Sequence, residues 1–145
     1  MSPEEINRCF QNDQFARHAN IELLTAGLGH ATAKMKLQAH HLNGLGTVHG
    51  GAIFTLADFT FAVAGNSYGN MVVALDVSIV FMKAATTGTL WAEAREISKN
   101  FKVGLYMVDI KDDHGDLIAQ FQGLAYRKKD KLSVPVPVAP PPVKK

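Results

Sequence analysis

The sequence predicts an α+β domain in which an antiparallel sheet of about five to six strands wraps around one long buried helix, preceded by a short N-terminal helix. Two observations support this fold class. The segment Val48–Asn66 carries apolar residues on every face of a helix, so this helix must be enclosed on all sides. Much of the remaining chain alternates apolar and polar residues, which is typical of strands. A sheet is therefore the only material that can enclose the helix.

The N-terminal part is predicted to form a short helix and two strands. Ser2–Glu5 has the N-cap, the early proline and the acidic residue of a capping box, and the helix is expected to end near Asn12–Phe15. Ile21–Thr25 and His30–Gln38 are the predicted strands. In the second strand one face is apolar, formed by Ala31, Ala33, Met35 and Leu37.

Four further strands are predicted after the long helix. They cover residues 73–81, Trp91–Lys99, Phe101–Lys111 and Asp116–Arg127, with a hairpin turn at Asp112–Gly115. One face of the first of these strands is expected to consist of Val73, Leu75, Val77, Ile79 and Phe81. The chain is thus divided into one domain, residues 1–130, and a proline-rich flexible tail, residues 131–145.

Composition and charge narrow the classes of function. The chain has 15 basic and 13 acidic side chains, but Lys131, Lys144 and Lys145 lie in the tail, so residues 1–130 have 12 basic against 13 acidic side chains. A nucleic-acid-binding protein normally has a basic face on its folded body, so no nucleic-acid partner is expected. With 47% apolar residues, the chain has more apolar surface than a small monomer readily buries, which favours a homo-oligomer.

The sequence has no recognisable signal peptide or membrane-spanning segment, so a cytoplasmic protein without a membrane partner is expected. A single cysteine, Cys9, excludes an internal disulfide, and the N-terminus does not resemble a signal peptide. The longest apolar stretch, Ala52–Ala64, contains Asp58 and is too short to cross a bilayer.

His40-His41 has no acidic or cysteine partner at ligand spacing, so no metal is expected and both are interpreted as exposed loop residues.

The long helix contains two features that could carry chemistry. Asp58 is its only charged residue, and burial there would raise the carboxyl pKa, which suits a general base; a structural aspartate bonded to loop amides is the alternative. His49-Gly50-Gly51 begins the helix, where exposed backbone amides could stabilise an oxyanion. The alternative interpretation is a tight turn from the loop into the helix with no role in chemistry. Gly51 and Asp58 are two turns apart on the same face, about 10 Å along the axis. Either one alone is catalytic, or two subunits build the site.

The segment Asn43–Gly51, with the sequence NGLGTVHGG, followed by Leu56-Ala57-Asp58, resembles the phenylacetate-degradation (PaaI-like) branch of the hotdog-fold acyl-CoA thioesterases. Shorter matches extend the resemblance over roughly residues 13–128; they lie at Asp13–His18, Ile21-Glu22, Leu75–Val77, Gly104–Tyr106 and Gly123–Arg127. The resemblance implies a hotdog fold, a dimer joined edge to edge and often paired into a tetramer, and active sites at the subunit interface.

The resemblance also implies roles for individual residues. Asp58 would activate water or attack the thioester carbonyl, and the Gly51 amide would polarise that carbonyl. Asn43 would orient the carbonyl or the water, and His49 would support them. The expected substrates are aryl- or medium-chain acyl-CoA thioesters, with coenzyme A as part of the substrate and no separate cofactor. Substrate contacts are expected at Gly50, Phe54, Arg127 and Lys128, the last two near the coenzyme A phosphates or else simply solvated.

Two departures from the family pattern affect the expected rate and substrate. Ala74 stands where relatives often carry a hydroxyl residue, and Asn100-Phe101 stands where they often have glycine followed by a basic residue. Two other functions stay open: a non-catalytic acyl-CoA binding protein, and a hotdog hydratase or dehydratase of 3-hydroxyacyl thioesters. The acyl group, the number of subunits and the purpose of the tail are not determined by the sequence.

Overall fold

The computed structural model describes residues 2–133 and 142–143. Two short helices, α1 (Pro3–Phe10) and α2 (Gln14–His18), come first, followed by the hairpin of β1 (Ile21–Gly27) and β2 (His30–Lys36). A 3₁₀ turn at Ala39–His41 leads to the long helix α3 (Gly50–Asn66). The remaining elements are β3 (Asn70–Phe81), β4 (Thr89–Lys99), β5 (Val103–Lys111) and β6 (Leu117–Lys131). Most of the predicted proline-rich tail lies outside the described residues.

The strands form one antiparallel sheet in the order β1-β2-β4-β5-β6-β3, with α3 packed against it. This arrangement confirms the predicted fold class. The alternation of β2 holds as predicted, because Ala31, Ala33 and Met35 are fully buried. The core between sheet and helix is completed by large side chains of the central strands, among them Leu90, Tyr106, Val108, Ile110 and Phe121.

The N-terminal helix ends earlier than predicted. The capping box at Ser2 and Glu5 is present, but α1 stops at Phe10. The carboxylate of Asp13 then accepts a hydrogen bond from the Ala16 amide at 2.9 Å and begins a second helix that the sequence analysis did not predict. An aspartate at this position satisfies amides that have no partner inside the helix, which favours a new helix start over a continued old one.

Strand β3 departs from the predicted alternation. A β-bulge between Ala74 and Asp76 interrupts its pairing with β6. An extra residue exchanges the two faces of a strand, so Val72 packs on the core before the bulge and Val77 after it. Ile79 also faces the core as predicted, but the prediction was wrong for Val73 and Leu75, whose exposures are 40% and 57%.

The long helix is enclosed on most, but not all, of its surface. The side chains of Leu56, Ala57 and Val63 are fully buried against the sheet. The positions that remain exposed or half-buried are Gly50, Gly51, Ala52, Phe54, Thr55, Asp58 and Ala62. Most of them lie on one side of the helix, and the sheet of the same chain leaves that side partly open. Among the described residues no helix is both long and apolar enough to cross a membrane.

Candidate active site

The open side of α3 carries both of the residues that the sequence predicts to be catalytic, Gly51 and Asp58. Gly51, Thr55, Asp58 and Ala62 follow one another at spacings of four, three and four residues and therefore form one stripe along the helix. Gly51 and Asp58 share this stripe, as their spacing predicts. They are separated by about 10 Å along the axis, so one small reacting group cannot contact both within one chain.

Asp58 places a half-buried carboxyl group on this stripe. None of the hydrogen bonds or ion pairs within residues 2–133 ends on its side chain. Burial raises the pKa of Asp58 above its usual value, and the negative charge of nearby Asp13 raises it further. A structural aspartate would be expected to accept hydrogen bonds from neighbouring amides, as Asp13 does at the start of α2. The surroundings of Asp58 instead suit a group that takes up a proton.

The start of α3 is capped by the histidine that precedes it. His49 is the N-cap, and its Nδ1 atom accepts a hydrogen bond from the Gly51 amide at 2.8 Å. A Cβ on Gly51 would lie 2.9 Å from that nitrogen, so only glycine leaves room for this geometry. The amide predicted to polarise the substrate is therefore bonded to the His49 ring in this structure, and the ring must move away before a carbonyl can take its place.

The loop before the helix is organised by Asn43. Its Oδ1 accepts hydrogen bonds from the amides of Leu45, at 2.9 Å, and Thr47, at 3.2 Å. Its Nδ2 donates to the Thr47 hydroxyl at 3.0 Å. The side-chain oxygen of Asn43 thus fixes the loop, and the second hydrogen of its Nδ2 is the group it can offer to a substrate or a water molecule.

A buried histidine anchors the same loop. The prediction that His40 and His41 are both exposed was wrong for His41, which is only 2% exposed. Its Nδ1 accepts the Gln38 amide at 3.0 Å and its Nε2 donates to the Ala19 carbonyl at 2.6 Å, which defines a neutral ring. Its carbonyl accepts the His49 amide at 2.7 Å. His41 therefore ties the end of α2 to the residue that caps α3, and its burial follows from contacts that local sequence does not reveal.

The predicted substrate contacts fall into two groups. Gly50 lies at the start of α3, so close to Phe81 that a Cβ would be 3.2 Å from its ring. The Phe54 ring packs edge-on against Phe121, with centroids 5.6 Å apart. Gly50 and Phe54 thus lie near the glycine end of the stripe, and Gly50 lines a groove together with Phe81, Ala84 and Ala85.

Arg127 and Lys128 lie near the other end of α3. The Arg127 guanidinium is 5.6 Å from the ring of Tyr68, just after the helix, and donates to the Asn100 carbonyl at 3.0 Å. Because α3 is about 25 Å long at 1.5 Å per residue, these cations are far from Gly51 of the same chain. Arg127 holds the turn between β4 and β5, and Lys128 beside it is exposed.

Two residues near Asp58 were missed by the sequence analysis as parts of the site. Asp13 shifts the pKa of Asp58, and Thr55 stands between Gly51 and Asp58 on the stripe, its hydroxyl donating to the Gly51 carbonyl at 2.7 Å. The four-residue spacing of Thr55 from Gly51 could have revealed its position; nothing local indicates that of Asp13. Within the part of the chain that the structure describes, no group of three metal-ligating side chains occurs.

Residues 45–119, a little over half of the chain, match the family model of the thioesterase superfamily. The chain belongs to this superfamily. The match includes the HGG turn and Asp58, and it confirms the family resemblance on which the sequence analysis relied. As a thioesterase superfamily member, the chain is a thioester hydrolase.

Two relatives and one solved structure are similar to this chain over most of its length. Acyl-coenzyme A thioesterase PaaI of Escherichia coli is 34% identical over 119 residues, which cover 81% of this chain and 85% of the relative. Human acyl-coenzyme A thioesterase 13 is 32% identical over 104 residues, 69% of this chain and 74% of the relative. The structure of the E. coli PaaI protein has a TM-score of 0.85 at 31% identity and covers 88% of this chain and 94% of that one.

Proposed function

We propose that this chain hydrolyses aryl- or medium-chain acyl-CoA thioesters to the free acid and coenzyme A, with Asp58 as the essential carboxylate. The observation that carries the proposal is the placement of Asp58, which is half-buried, lies on the same open stripe of α3 as Gly51, and has no hydrogen-bond or ion-pair partner among the residues that the structure describes. The names of the relatives, both acyl-coenzyme A thioesterases, support the substrate class. The cytoplasmic location stays a prediction.

The proposed reaction needs one base and one oxyanion site. Asp58 takes a proton from a water molecule while the water oxygen attacks the thioester carbonyl carbon. The negative charge that develops on the carbonyl oxygen is stabilised by the amide of Gly51, at the positive end of α3. The carbon–sulfur bond then breaks, coenzyme A leaves as thiolate and takes up the proton that Asp58 removed from water, and the acid is released. Attack by the Asp58 carboxylate itself, followed by hydrolysis of the anhydride, is the alternative route.

His49 and Asn43 have supporting roles in this proposal. The His49 ring, now bonded to the Gly51 amide, rotates aside when the substrate carbonyl binds and returns when the product leaves. Exchange of one acceptor for another keeps the amide satisfied throughout. Asn43 keeps the loop in register with the helix start and offers its remaining Nδ2 hydrogen to the carbonyl or the water.

We further propose that each site is shared by two subunits. The separation of about 10 Å between Gly51 and Asp58 requires it if both act on one carbonyl. Strand β3 supplies a surface for the partner: it is an edge of the sheet, twelve residues long, with exposed apolar side chains at Met71, Val73, Leu75, Val80 and Phe81. Long apolar edges are normally paired or covered in natural proteins.

Pairing of β3 with the same strand of a second copy also explains the two distant cations. A two-fold axis near the middle of the strand sets the Phe81 end of one copy beside the Asn70 end of the other. Gly50 is next to Phe81, and Arg127 pairs with Val72 at the other end. The pairing therefore moves Arg127 and Lys128 of the partner subunit toward Gly50, where they can meet coenzyme A phosphates. Pairing of two such dimers into a tetramer is part of the proposal.

The test is hydrolysis of a thioester panel by purified protein, with released thiol as the readout. We expect turnover of phenylacetyl-CoA or hexanoyl-CoA, and a loss of at least about 100-fold in kcat for Asp58→Asn, the range for removing a general base. Glu93→Gln, an acid-to-amide change on an exposed side chain of β4, is the matched control and should retain activity. Wild-type rates equal to buffer would overturn the proposal; tight binding without turnover would identify a binding protein, and turnover of enoyl thioesters instead would identify a hydratase.

A further inference from the structure

The open stripe of α3 carries a hydroxyl group that the proposed chemistry does not use. Thr55 is half-buried and stands three residues before Asp58 and four residues after Gly51. Gly51 and Ala62, the other two members of the stripe, have no polar side-chain atom. A water molecule bound to the Asp58 carboxylate therefore finds its nearest polar neighbour on the stripe at Thr55.

The hydrogen atom of this hydroxyl already has an acceptor. Thr55 Oγ1 donates to the Gly51 carbonyl at 2.7 Å, a bond that threonines in helices often make to the residue four positions earlier. A hydroxyl has one donor hydrogen and two acceptor lone pairs, so Oγ1 can still accept but has nothing left to donate. It can therefore hold a hydrogen of a bound water molecule while leaving the lone pairs of that water free.

Asp58 and Thr55 are close enough to share one water molecule. Side chains three residues apart on a helix are neighbours, with about 5–6 Å between their Cβ atoms. Helical side chains also lean toward the N-terminus of the helix, so the Asp58 side chain lies over the turn that contains Thr55. Both groups belong to the same chain, so this water site is complete within one subunit, whichever subunit supplies the Gly51 amide to the carbonyl.

The same kind of backbone bond occurs on the buried side of α3. Thr60 Oγ1 donates to the Leu56 carbonyl at 2.7 Å, and the Thr60 side chain is fully buried. The bond alone is thus a property of threonine in this helix and indicates no function. Thr55 differs from Thr60 in its position on the open stripe, beside a carboxylate that accepts no hydrogen bond within the part of the chain that the structure describes.

We infer that Thr55 orients the attacking water, which donates one hydrogen to the Asp58 carboxylate and the other to Thr55 Oγ1. With both hydrogens bound, the lone pairs of the water oxygen point away from the helix, toward the approaching carbonyl carbon. Asp58 removes its hydrogen as a proton while the oxygen–carbon bond forms, and the second hydrogen stays on that oxygen as the hydroxyl of the acid product. The assignment rests on the proposed function and adds the residue that aims the nucleophile.

The matched pair of variants is Thr55→Val and Thr60→Val. Each replaces a hydroxyl by a methyl group and removes one bond to a helix carbonyl, but only Thr55→Val alters the open stripe. We expect Thr55→Val to lower kcat for hexanoyl-CoA about tenfold, near the upper end of what one hydrogen bond contributes. KM should change by less than about twofold, because the hydroxyl holds water rather than substrate. Thr60→Val should keep the wild-type kcat, and Thr55→Ser, which retains a hydroxyl, should recover most of it.

Methanol as a competing nucleophile gives a readout that a loss of structure would not change. Methanol has a single hydroxyl hydrogen, which Asp58 takes, so it has none to donate to Thr55. Thr55→Val should therefore slow hydrolysis but not methanolysis, and the ratio of methyl ester to free acid formed from hexanoyl-CoA should rise about tenfold. A misfolded variant would lose both reactions together and leave this ratio unchanged.

Three results would overturn the role of Thr55 and leave the proposed function intact: a wild-type kcat in Thr55→Val, an equal loss of kcat in Thr60→Val, or an unchanged ratio of methyl ester to acid. If no protein forms methyl ester, the comparison of kcat between the two valine variants decides alone. A wild type that hydrolyses no thioester overturns the proposed function and the role of Thr55 with it.

Discussion

The Nδ1 atom of His49 and the backbone nitrogen of Gly51 are 2.8 Å apart, so the residue before the helix occupies the amide that the substrate carbonyl is proposed to use. Because of this contact, the role of His49 as a helix cap can be tested separately from the role of the Gly51 amide as an oxyanion donor. Loss of the ring removes a helix cap but leaves the amide free. Blocking the approach to the amide removes the oxyanion site.

The first prediction compares His49→Ala with Gly51→Ala. His49→Ala should lower the free energy of unfolding by about 1 kcal/mol, a usual cost of losing an N-cap, and reduce kcat/KM by less than about tenfold. Gly51→Ala should reduce it by about 100-fold or more, the scale for losing an oxyanion donor, because its Cβ would lie only 2.9 Å from the position where the His49 nitrogen accepts from the amide and would crowd any acceptor there. Steady-state kinetics and thermal melts measure both. A larger kinetic defect in His49→Ala than in Gly51→Ala would contradict this assignment.

The second prediction concerns stability and the charge on Asp58. Burial raises its pKa in the folded state, so the folded state binds a proton more tightly than the unfolded chain does. This contribution to stability is present below the pKa of an unfolded aspartate, about 3.9, and is lost as the pH rises through the raised folded-state value. Asp58→Asn should therefore melt at a higher temperature than the wild type at pH 7.5, and the difference should shrink toward pH 4.5. Glu93→Gln should show no such pH-dependent gain, and an Asp58→Asn protein that is less stable at pH 7.5 would be inconsistent with a costly buried charge.

The third prediction uses Asp13 to shift the pH dependence of activity. The charge of Asp13 raises the pKa of Asp58, and asparagine caps a helix about as well as aspartate does. Asp13→Asn should therefore keep α2 intact and lower the pKa of Asp58. Since the ionised carboxylate is the active form, the acidic limb of the kcat/KM profile should move to lower pH. A profile identical to that of the wild type would show that Asp13 does not act on the base.

The fourth prediction tests the subunit pairing through β3. Val80 is 57% exposed on this edge strand, and Val80→Glu introduces a charge that a paired edge cannot accommodate. We expect a monomer by light scattering and a loss of activity of at least about 100-fold, because the oxyanion donor and the base then belong to separate molecules. Leu24→Glu, on the opposite edge strand, has a 40% exposed starting residue and is the matched control. An active Val80→Glu monomer would exclude a shared site.

The fifth prediction concerns the packing of the sheet on the helix. A Cβ at Gly123 in β6 would lie 2.8 Å from the ring of Phe61 and 3.0 Å from that of Phe121. Both rings are buried and cannot move aside freely, so Gly123→Ala should lower the free energy of unfolding by about 1–3 kcal/mol, the usual cost of overpacking. Denaturant titration measures this value. Gly44→Ala, whose Cβ meets no atom within 4 Å, is the control and should have a much smaller effect.

The main features of the fold follow from patterns within single segments. The apolar surface of α3 and the alternation in β2 each reflect one element and its burial, so they could be predicted from the sequence. The bulge at Ala74 could not, because it depends on how β3 pairs with β6. The start of α2 was missed for a related reason: Asp13 at a helix cap and Asp13 in a turn have the same local sequence signature.

The candidate site shows the same division. Gly51 and Asp58 could be placed on one face because helix geometry fixes the relation between residues seven apart. The proximity of Asp13 to Asp58, and the burial of His41, result from contacts between distant parts of the chain. The distance of Arg127 from Gly51 likewise follows from strand pairing, because β3 begins just after the far end of the helix and its Val72 pairs with Arg127 of β6.

The exposed apolar edge of β3 also has a consequence for how the protein reaches its working state. Until it is covered, a twelve-residue strand with free backbone groups and exposed apolar side chains is a template for indiscriminate pairing with other unfolded or partly folded chains. The proposed pairing of two copies at this edge must therefore outcompete aggregation while newly made chains accumulate. The same surface that is proposed to complete the catalytic site then limits the yield of native protein, so selection for solubility and selection for catalysis act on the same few side chains.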